Sequence, residues 1–172
     1  MSDITLSGFK SQVRDLARPN RLWVQITGGT AASQWSESPY AFLAKAVSLP
    51  ARTIGNIEVN WQGMKTKLAG DPTFEDFTMT FLNDYEFLVK SYFEKWLEEI
   101  AAMGTNVRTD HGTYKAEILV QQLGRDNQPI AEYKLIGAYP IQMDAIELNQ
   151  ESADTVEEFN VTIAYDYFER TV

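Results

Sequence analysis

Gly70 to Asp84 reads GDPTFEDFTMTFLND, and the change of period within it decides the fold. Pro72 fixes φ and lacks an N–H, while Gly70 tolerates unusual φ, so Gly70-Asp71-Pro72 is expected to turn the chain. Phe77, Met79 and Phe81 then alternate with Thr78 and Thr80, the period-two pattern of a strand with one buried face. At Asn83 the period changes. Asn83 followed by Glu86 reads as a helix N-cap with its acidic partner. Val89, Phe93, Trp96, Leu97 and Ile100 fall on one helical stripe. Gly104 stands where a C′ glycine ends a helix. The expected unit is a turn, a strand, a tight connection and one flanking helix over 84–103.

Outward from this unit, strands dominate. On the N-terminal side, Arg21 to Thr27 and Tyr40 to Leu49 are apolar on both faces and predict strands, separated by a loop, GGTAASQWSESP (28–39). Trp35 in that loop fills a core or anchors a neighbouring subunit. Ile57, Val59 and Trp61 alternate with Glu58, Asn60 and Gln62, predicting a half-buried strand. Gly63-Met64 turns it, and Lys65 to Ala69 returns as its hairpin partner. On the C-terminal side, Thr105 to Gly112 is turn-rich. Tyr114 to Leu123 and Ile130 to Ala138 predict a strand pair across the Gly124–Pro129 turn. Tyr139-Pro140 is expected to break the second strand, with Ile141 to Leu148 a further one. Phe159, Val161, Ile163, Tyr165 and Tyr167 make the longest clean alternation. About eight or nine short strands with frequent turns predict a mainly β fold, an antiparallel β-sandwich or partial barrel with one flanking α-helix.

Composition sets the bounds. The chain has 172 residues, 44% of them hydrophobic and 12% aromatic, which suits one folded domain over 1–172 with a real core. It has no cysteine, so disulfides and thiolate metal sites are excluded. Residues 1–15 lack the apolar core of a secretory leader, and no stretch is long and apolar enough to suggest a membrane partner. The net charge of −9 opposes a protein that grips nucleic acid through its phosphates. Charge is uneven: Lys10, Arg14, Arg18 and Arg21 mark the N-terminal end, and carboxylates crowd 142–172. These are two solvated surfaces of opposite bias, or two ends that meet different neighbours.

No catalytic constellation emerges. His111 is the single histidine and lies in a turn, Asp110-His111-Gly112. Asp71, Glu75 and Asp76 are close in sequence, but neighbouring strand residues point to opposite faces and make a poor glycosidase pair. Gly28-Gly29-Thr30 lacks the strand–glycine–helix context of a phosphate loop. Asp144 to Glu158 lacks the spacing of a calcium loop. No cofactor and no metal are expected. A small acidic carbohydrate-binding sandwich, stacking sugars on Trp35 and Trp61, is the reading from a different class.

The stretch AGDPTFEDFTMTFLNDYE (69–86), followed by a Trp-bearing amphipathic helix, resembles the tail tube protein family of T4-like contractile-tailed bacteriophages. Ala17 to Asn20, Leu49-Pro50-Ala51 and Glu158 to Tyr167 agree with that family in order and spacing. The resemblance implies a structural, non-enzymatic virion protein, assembled in the host cytoplasm. Its sheets would complete a multi-subunit β-barrel in a hexameric ring, and rings would stack into a tube within a contractile sheath. Implied partners are further copies of the chain, the sheath protein, baseplate or tube-initiator and tail terminator proteins, and the tape measure protein and genomic DNA in the lumen, without specific DNA binding. Related contractile injection devices, such as phage-tail-like bacteriocins, type VI secretion tubes and baseplate initiators, share that architecture. On this basis the N-terminal arm (1–18), with Ile4, Leu6 and Phe9, is expected to make ring or subunit contacts. Arg14, Arg18 and Arg21 would meet Asp154, Glu157 or Glu158 of a neighbour. The charged helix face, Glu94 and Glu98 in particular, is expected to face the sheath.

Overall fold

The computed structural model describes residues 6, 10, 17–29, 35, 39–103, 107–151 and 155–171. Among them are nine strands. They are β1 (Leu22–Thr27), β2 (Ala44–Val47), β3 (Arg52–Trp61), β4 (Met64–Phe74), β5 (Phe77–Leu82), β6 (Ala116–Leu123), β7 (Pro129–Met143), β8 (Glu158–Ala164) and β9 (Tyr167–Arg170). One long helix, α1 (Leu88–Ile100), and a single-turn helix, α2 (His111–Tyr114), accompany them, with a 3-10 turn over Pro39–Leu43.

Every strand pairing is antiparallel. The main sheet runs β1-β6-β7-β8-β5-β2, with β9 also on β7. It folds over on β7, whose first part pairs with β6 and β9 and whose last part pairs with β8. The result is two layers that share one strand. The crease has a local cause. Gly137 adopts φ +69°, and the register shifts between Pro140 and Gln142. Glycine permits the first and a bulge accommodates a proline without a ladder donor. Tyr139-Pro140 therefore bends β7 rather than ending it. Only Ile141 to Met143 of the expected Ile141–Leu148 strand is extended, and it belongs to β7. The Asp166 carboxylate occupies the space a side chain at Gly137 would need, 2.1 Å from the position of a Cβ. The Asp166 backbone N–H donates to the Ile136 carbonyl, so the long C-terminal alternation splits there into β8 and β9.

The core lies between the layers. Val24, Ile26, Ile118, Val120 and Leu135 from one side face Phe77, Met79, Phe81, Phe159, Val161 and Ile163 from the other. α1 closes the open side with Val89, Tyr92, Phe93 and Trp96. Phe93 packs on Phe81 at 5.4 Å between ring centres, and the Trp96 indole N–H donates to the Tyr114 carbonyl at 2.9 Å. Trp35 is a core residue. It packs against Tyr40, Phe81, Tyr92 and Phe93, and its indole N–H donates to the Val24 carbonyl.

Several local expectations are corrected. The helix starts at Leu88, not near Asn83: Phe87 sits in the left-handed region at φ 54°, and the Asp84 carboxylate accepts the Leu88 N–H at 2.9 Å. Asp84, one residue past the expected cap, does the capping, because Asn83, just past the end of β5, is held by Glu157. Gly104 lies outside the described residues. The Tyr40–Leu49 segment is part 3-10 turn and only Ala44–Val47 is strand. Gly70-Asp71-Pro72 does not turn; it lies within β4 at the bulge where β3 and β4 change register. There the two glycines allow close approach, since a Cβ on Gly70 would lie 3.1 Å from the Gly55 carbonyl carbon and oxygen.

Candidate assembly surfaces

The two strands β3 and β4 form a sheet of their own and stand off the body as a hairpin arm. Ten ladder residues at about 3.4 Å each give it a reach of roughly 30 Å. Gln62 (φ 47°) and Gly63 (φ 83°) are both left-handed, as a tight two-residue hairpin turn demands. This turn sits one residue earlier than Gly63-Met64. The strand expected to be half-buried is exposed at every position. Ile57 faces Leu68 and Trp61 faces Met64 across the ladder, with Val59 between, so one face is an apolar stripe. Trp61 is 71% and Met64 75% exposed. The other face carries Glu58, Asn60, Lys65 and Lys67, with Lys65 3.3 Å from Glu58. At the base, Phe74 packs on Phe168 and Tyr165, anchoring the arm to the body. An exposed apolar strip of this kind, only two strands wide, has the character of an interaction surface.

α1 supplies the second surface. Its buried face leaves Lys90, Glu94, Lys95 and Glu98 outward, with Lys90 and Glu94 3.9 Å apart. The Glu98 carboxylate also accepts the Met103 N–H at 2.9 Å, so it caps the end of the helix as well as facing solvent. Glu86 precedes the helix, in the turn before Leu88.

Within the chain the charged ends hold local partners, and the expected contacts with a neighbour stay a proposal. Arg21 Nη1 donates to the carbonyls of Gly124 and Arg125 and to Asn127 Oδ1, bracing the β6–β7 turn. The Arg18 carbonyl accepts from Gln122. Glu157 accepts the Asn83 side-chain N–H at 2.8 Å, and Glu158 pairs with Lys45. Leu6 is exposed. Ile4, Phe9, Arg14 and Asp154 lie outside the described residues. The arm is the surface that sequence reasoning undervalued. The alternation marked its apolar face, and Pro72 in the partner strand is compatible with a bulge at a sheet edge, but neither says that the hairpin projects.

His111 is exposed and pairs with Asp110 at 2.9 Å. Glu75 and Asp76 occupy the exposed link between β4 and β5. No group of three or more His, Cys, Asp or Glu suited to a metal ion occurs among the described residues. The burial of Trp35 removes one of the two sugar-stacking platforms considered above, leaving Trp61 on the arm.

A two-layer β body with a helical flank carries a projecting hairpin with an exposed apolar stripe, and no catalytic constellation assembles among the described residues. Comparison with known proteins places the chain more closely. The family profile "Phage tail tube protein" matches residues 17–171, and the chain belongs to that family. It is 31% identical over 157 residues to tail tube protein gp19 of Enterobacteria phage T4, covering 90% of this chain and 92% of the relative. It is 24% identical to the tail tube protein of Serratia phage KSP90, covering 92% and 90%. In fold it is similar to a chain of the sheath/tube terminator of an extracellular contractile injection system, with TM-score 0.69, 14% identity and coverage of 93% and 99%. An Hcp protein is similar at TM-score 0.51 and 12% identity, covering 86% and 90%. The role is therefore that of a structural tail tube protein of the virion.

Proposed function

We propose that this chain is the repeating subunit of the tube. Copies close into hexameric rings, and rings stack into a hollow conduit inside a contractile sheath. Baseplate and terminator proteins bound its ends, and the tape measure protein and then the genome occupy its lumen without specific binding. The observation that carries the reading is the β3–β4 arm, whose apolar stripe is exposed and has no cover among the described residues. In a family of tube proteins its natural cover is another copy of the same chain. The geometry of a ring is consistent. Each layer of the body offers four strands: β1, β6, β7 and β9, or β7, β8, β5 and β2. Six subunits giving four strands each, spaced ~4.8 Å and tilted ~40°, would close a barrel roughly 48 Å across between backbones. Inward side chains would remove about 10 Å of that, enough to leave a passage for a duplex of roughly 20 Å. The relatives that share sequence are phage proteins; the likeness to injection systems, at 14% identity or less, concerns the fold alone.

The charged face of α1, with Glu94 and Glu98, is the surface proposed to meet the sheath, and the N-terminal arm is proposed to join the ring contacts. Sedimentation and negative-stain microscopy test the whole reading: rings and tubes are expected as concentration rises, and monomers of 19.5 kDa at all concentrations and salts would defeat it. Replacing Glu94 and Glu98 by Lys is expected to leave tubes intact while weakening sheath docking. Normal sheath assembly on those tubes would remove the helix from that role.

A further inference from the structure

The two layers present different outward faces. On β1, β6, β7 and β9 the outward side chains include Glu117, Leu119, Glu132, Lys134, Ile136, Tyr167 and Glu169, a mixture of charge and apolar bulk. Outward on β5, β8 and the end of β7 stand Thr78, Thr80, Asn160, Thr162 and Gln142, polar and uncharged, with Leu82 and Glu158 at the rim of the same face. This second face also satisfies itself. Thr80 Oγ1 donates to Asn160 Oδ1 at 2.8 Å. Asn160 Nδ2 donates to one oxygen of Asp144 at 2.9 Å, and Gln142 Nε2 donates to the other at 3.1 Å. At the rim the Lys45 ammonium is held by Glu158. Each amide nitrogen of this face and the rim ammonium, the groups a phosphate would seek, thus makes a hydrogen bond to one of two carboxylates of the same chain.

Position agrees with chemistry. Phe81 and Phe159 point from the opposite side of these strands into the core, and α1 packs there through Phe93. This polar face, whose few charges are tied into its own network, and the charged helix therefore lie on opposite sides of one sheet. If one meets the sheath, the other meets the channel.

Resting on the ring reading above, we propose that the outward face of β2, β5, β8 and the end of β7 lines the channel. Asp144 and Glu158 passivate it toward a polyanionic duplex by occupying its donors. A duplex passing along this wall meets hydroxyls and carboxylates rather than free cations, so it is repelled weakly and held nowhere.

The absence of cysteine makes the test direct. Single cysteines are placed at Thr78 and, in a second variant, at Gln142, with Glu94→Cys on the helix and Gln25→Cys on the other layer as references. Assembled tubes are treated with a small maleimide or with one carrying a polymer too wide for the channel. Thr78→Cys and Gln142→Cys are expected to react with the small reagent and to resist the large one in tubes, while reacting with both when dissociated. Glu94→Cys should react with both throughout. Labelling of Thr78→Cys and Gln142→Cys by the large reagent in tubes, or by neither reagent, overturns the assignment. So does the size-selective pattern at Gln25→Cys. Failure of the unmodified chain to form rings overturns the assembly reading and this one with it, and is seen before any label is added. For the second half of the proposal, tubes of Asp144→Asn with Glu158→Gln are mixed with a short fluorescent DNA duplex at low salt. Retention at least tenfold above unmodified tubes, reversed by added salt, is expected. Retention equal to that of unmodified tubes removes the passivating role.

Discussion

The β5–β8 pair and the β3–β4 arm carry the same sequence pattern and opposite fates. Phe77, Met79 and Phe81 alternate with threonines and are sealed in the core; Ile57, Val59 and Trp61 alternate with polar residues and stand in solvent. Alternation states that a strand has one apolar face. It does not state whose surface covers that face. For β5 the cover is α1 and the opposing layer, supplied by the same chain. On the arm the same kind of stripe stays in solvent, with Ile57, Val59, Trp61, Met64 and Leu68 all exposed. The expectation of a half-buried strand at Ile57 matches the chemistry of the strand, but within the chain every position of it is exposed.

The comparison breaks if the two stripes respond alike to truncation. Phe81→Ala is expected to give the largest effect. Phe81 is fully buried against Phe93, Phe159 and Trp35, and removing such a ring costs about 3–5 kcal/mol of folding stability. Urea unfolding of the dissociated chain measures it, and a loss below about 1 kcal/mol would mean the core is not where the layers meet. Trp61→Ala combined with Met64→Ala should behave in the opposite way. Both side chains are already in water, so the dissociated chain keeps its stability to within about 0.5 kcal/mol. Association should weaken by roughly 1.5–3 kcal/mol for each large side chain that a neighbour buries, seen as a rise in the concentration at which rings appear. An arm variant that unfolds more readily, with assembly unchanged at equal folded concentration, would make the arm part of the body.

These contrasts also show what was legible in the residues. The core strands, the helix stripe and the turn at Gly124–Pro129 were readable because each is decided by contacts close in sequence or by burial within the chain. Gly70-Asp71-Pro72 misled because composition marks a turn, whereas Gly70 and Pro72 serve a bulge in an exposed ladder, a position that tolerates both. Tyr139-Pro140 misled in the same way: the proline marks the crease of a strand shared by two layers, a feature of topology that no local window contains. The charged ends gave surfaces but not partners. Arg21 is taken by a turn more than a hundred residues away, and Glu158 by Lys45, pairings fixed by strand order rather than by sign.

The smallest expected effect sharpens the comparison from inside the body. Tyr92 is a core residue of α1, 2% exposed, and its hydroxyl finds no hydrogen-bond partner among the described residues. Burial, followed by the nearby Tyr40 and Glu99, pushes its pKa well above the ordinary 10.0. A tyrosine is neutral when protonated, so the folded chain holds this proton more tightly than the unfolded chain does. Its contribution is then fully present below the unfolded value near 10 and is lost as pH rises above it toward the folded value. Folding stability should stay level in this respect through pH 9. Above about pH 10 it should fall at up to about 1.4 kcal/mol per pH unit relative to Tyr92→Phe. At neutral pH the same substitution removes an unpaired buried hydroxyl at little cost in packing, so it is expected to be neutral or to stabilise by up to about 1 kcal/mol. Urea unfolding of both chains from pH 8 to pH 11.5 gives the difference directly. Other tyrosines ionise in both proteins and cancel from it, including Tyr165, whose pKa is also raised by burial. Parallel curves above pH 10 would mean that Tyr92 reaches solvent or finds a charge-stabilising partner in the folded chain. The closed core assigned to the body, in contrast to the open arm, would then need revision at the face of α1 that carries Tyr92.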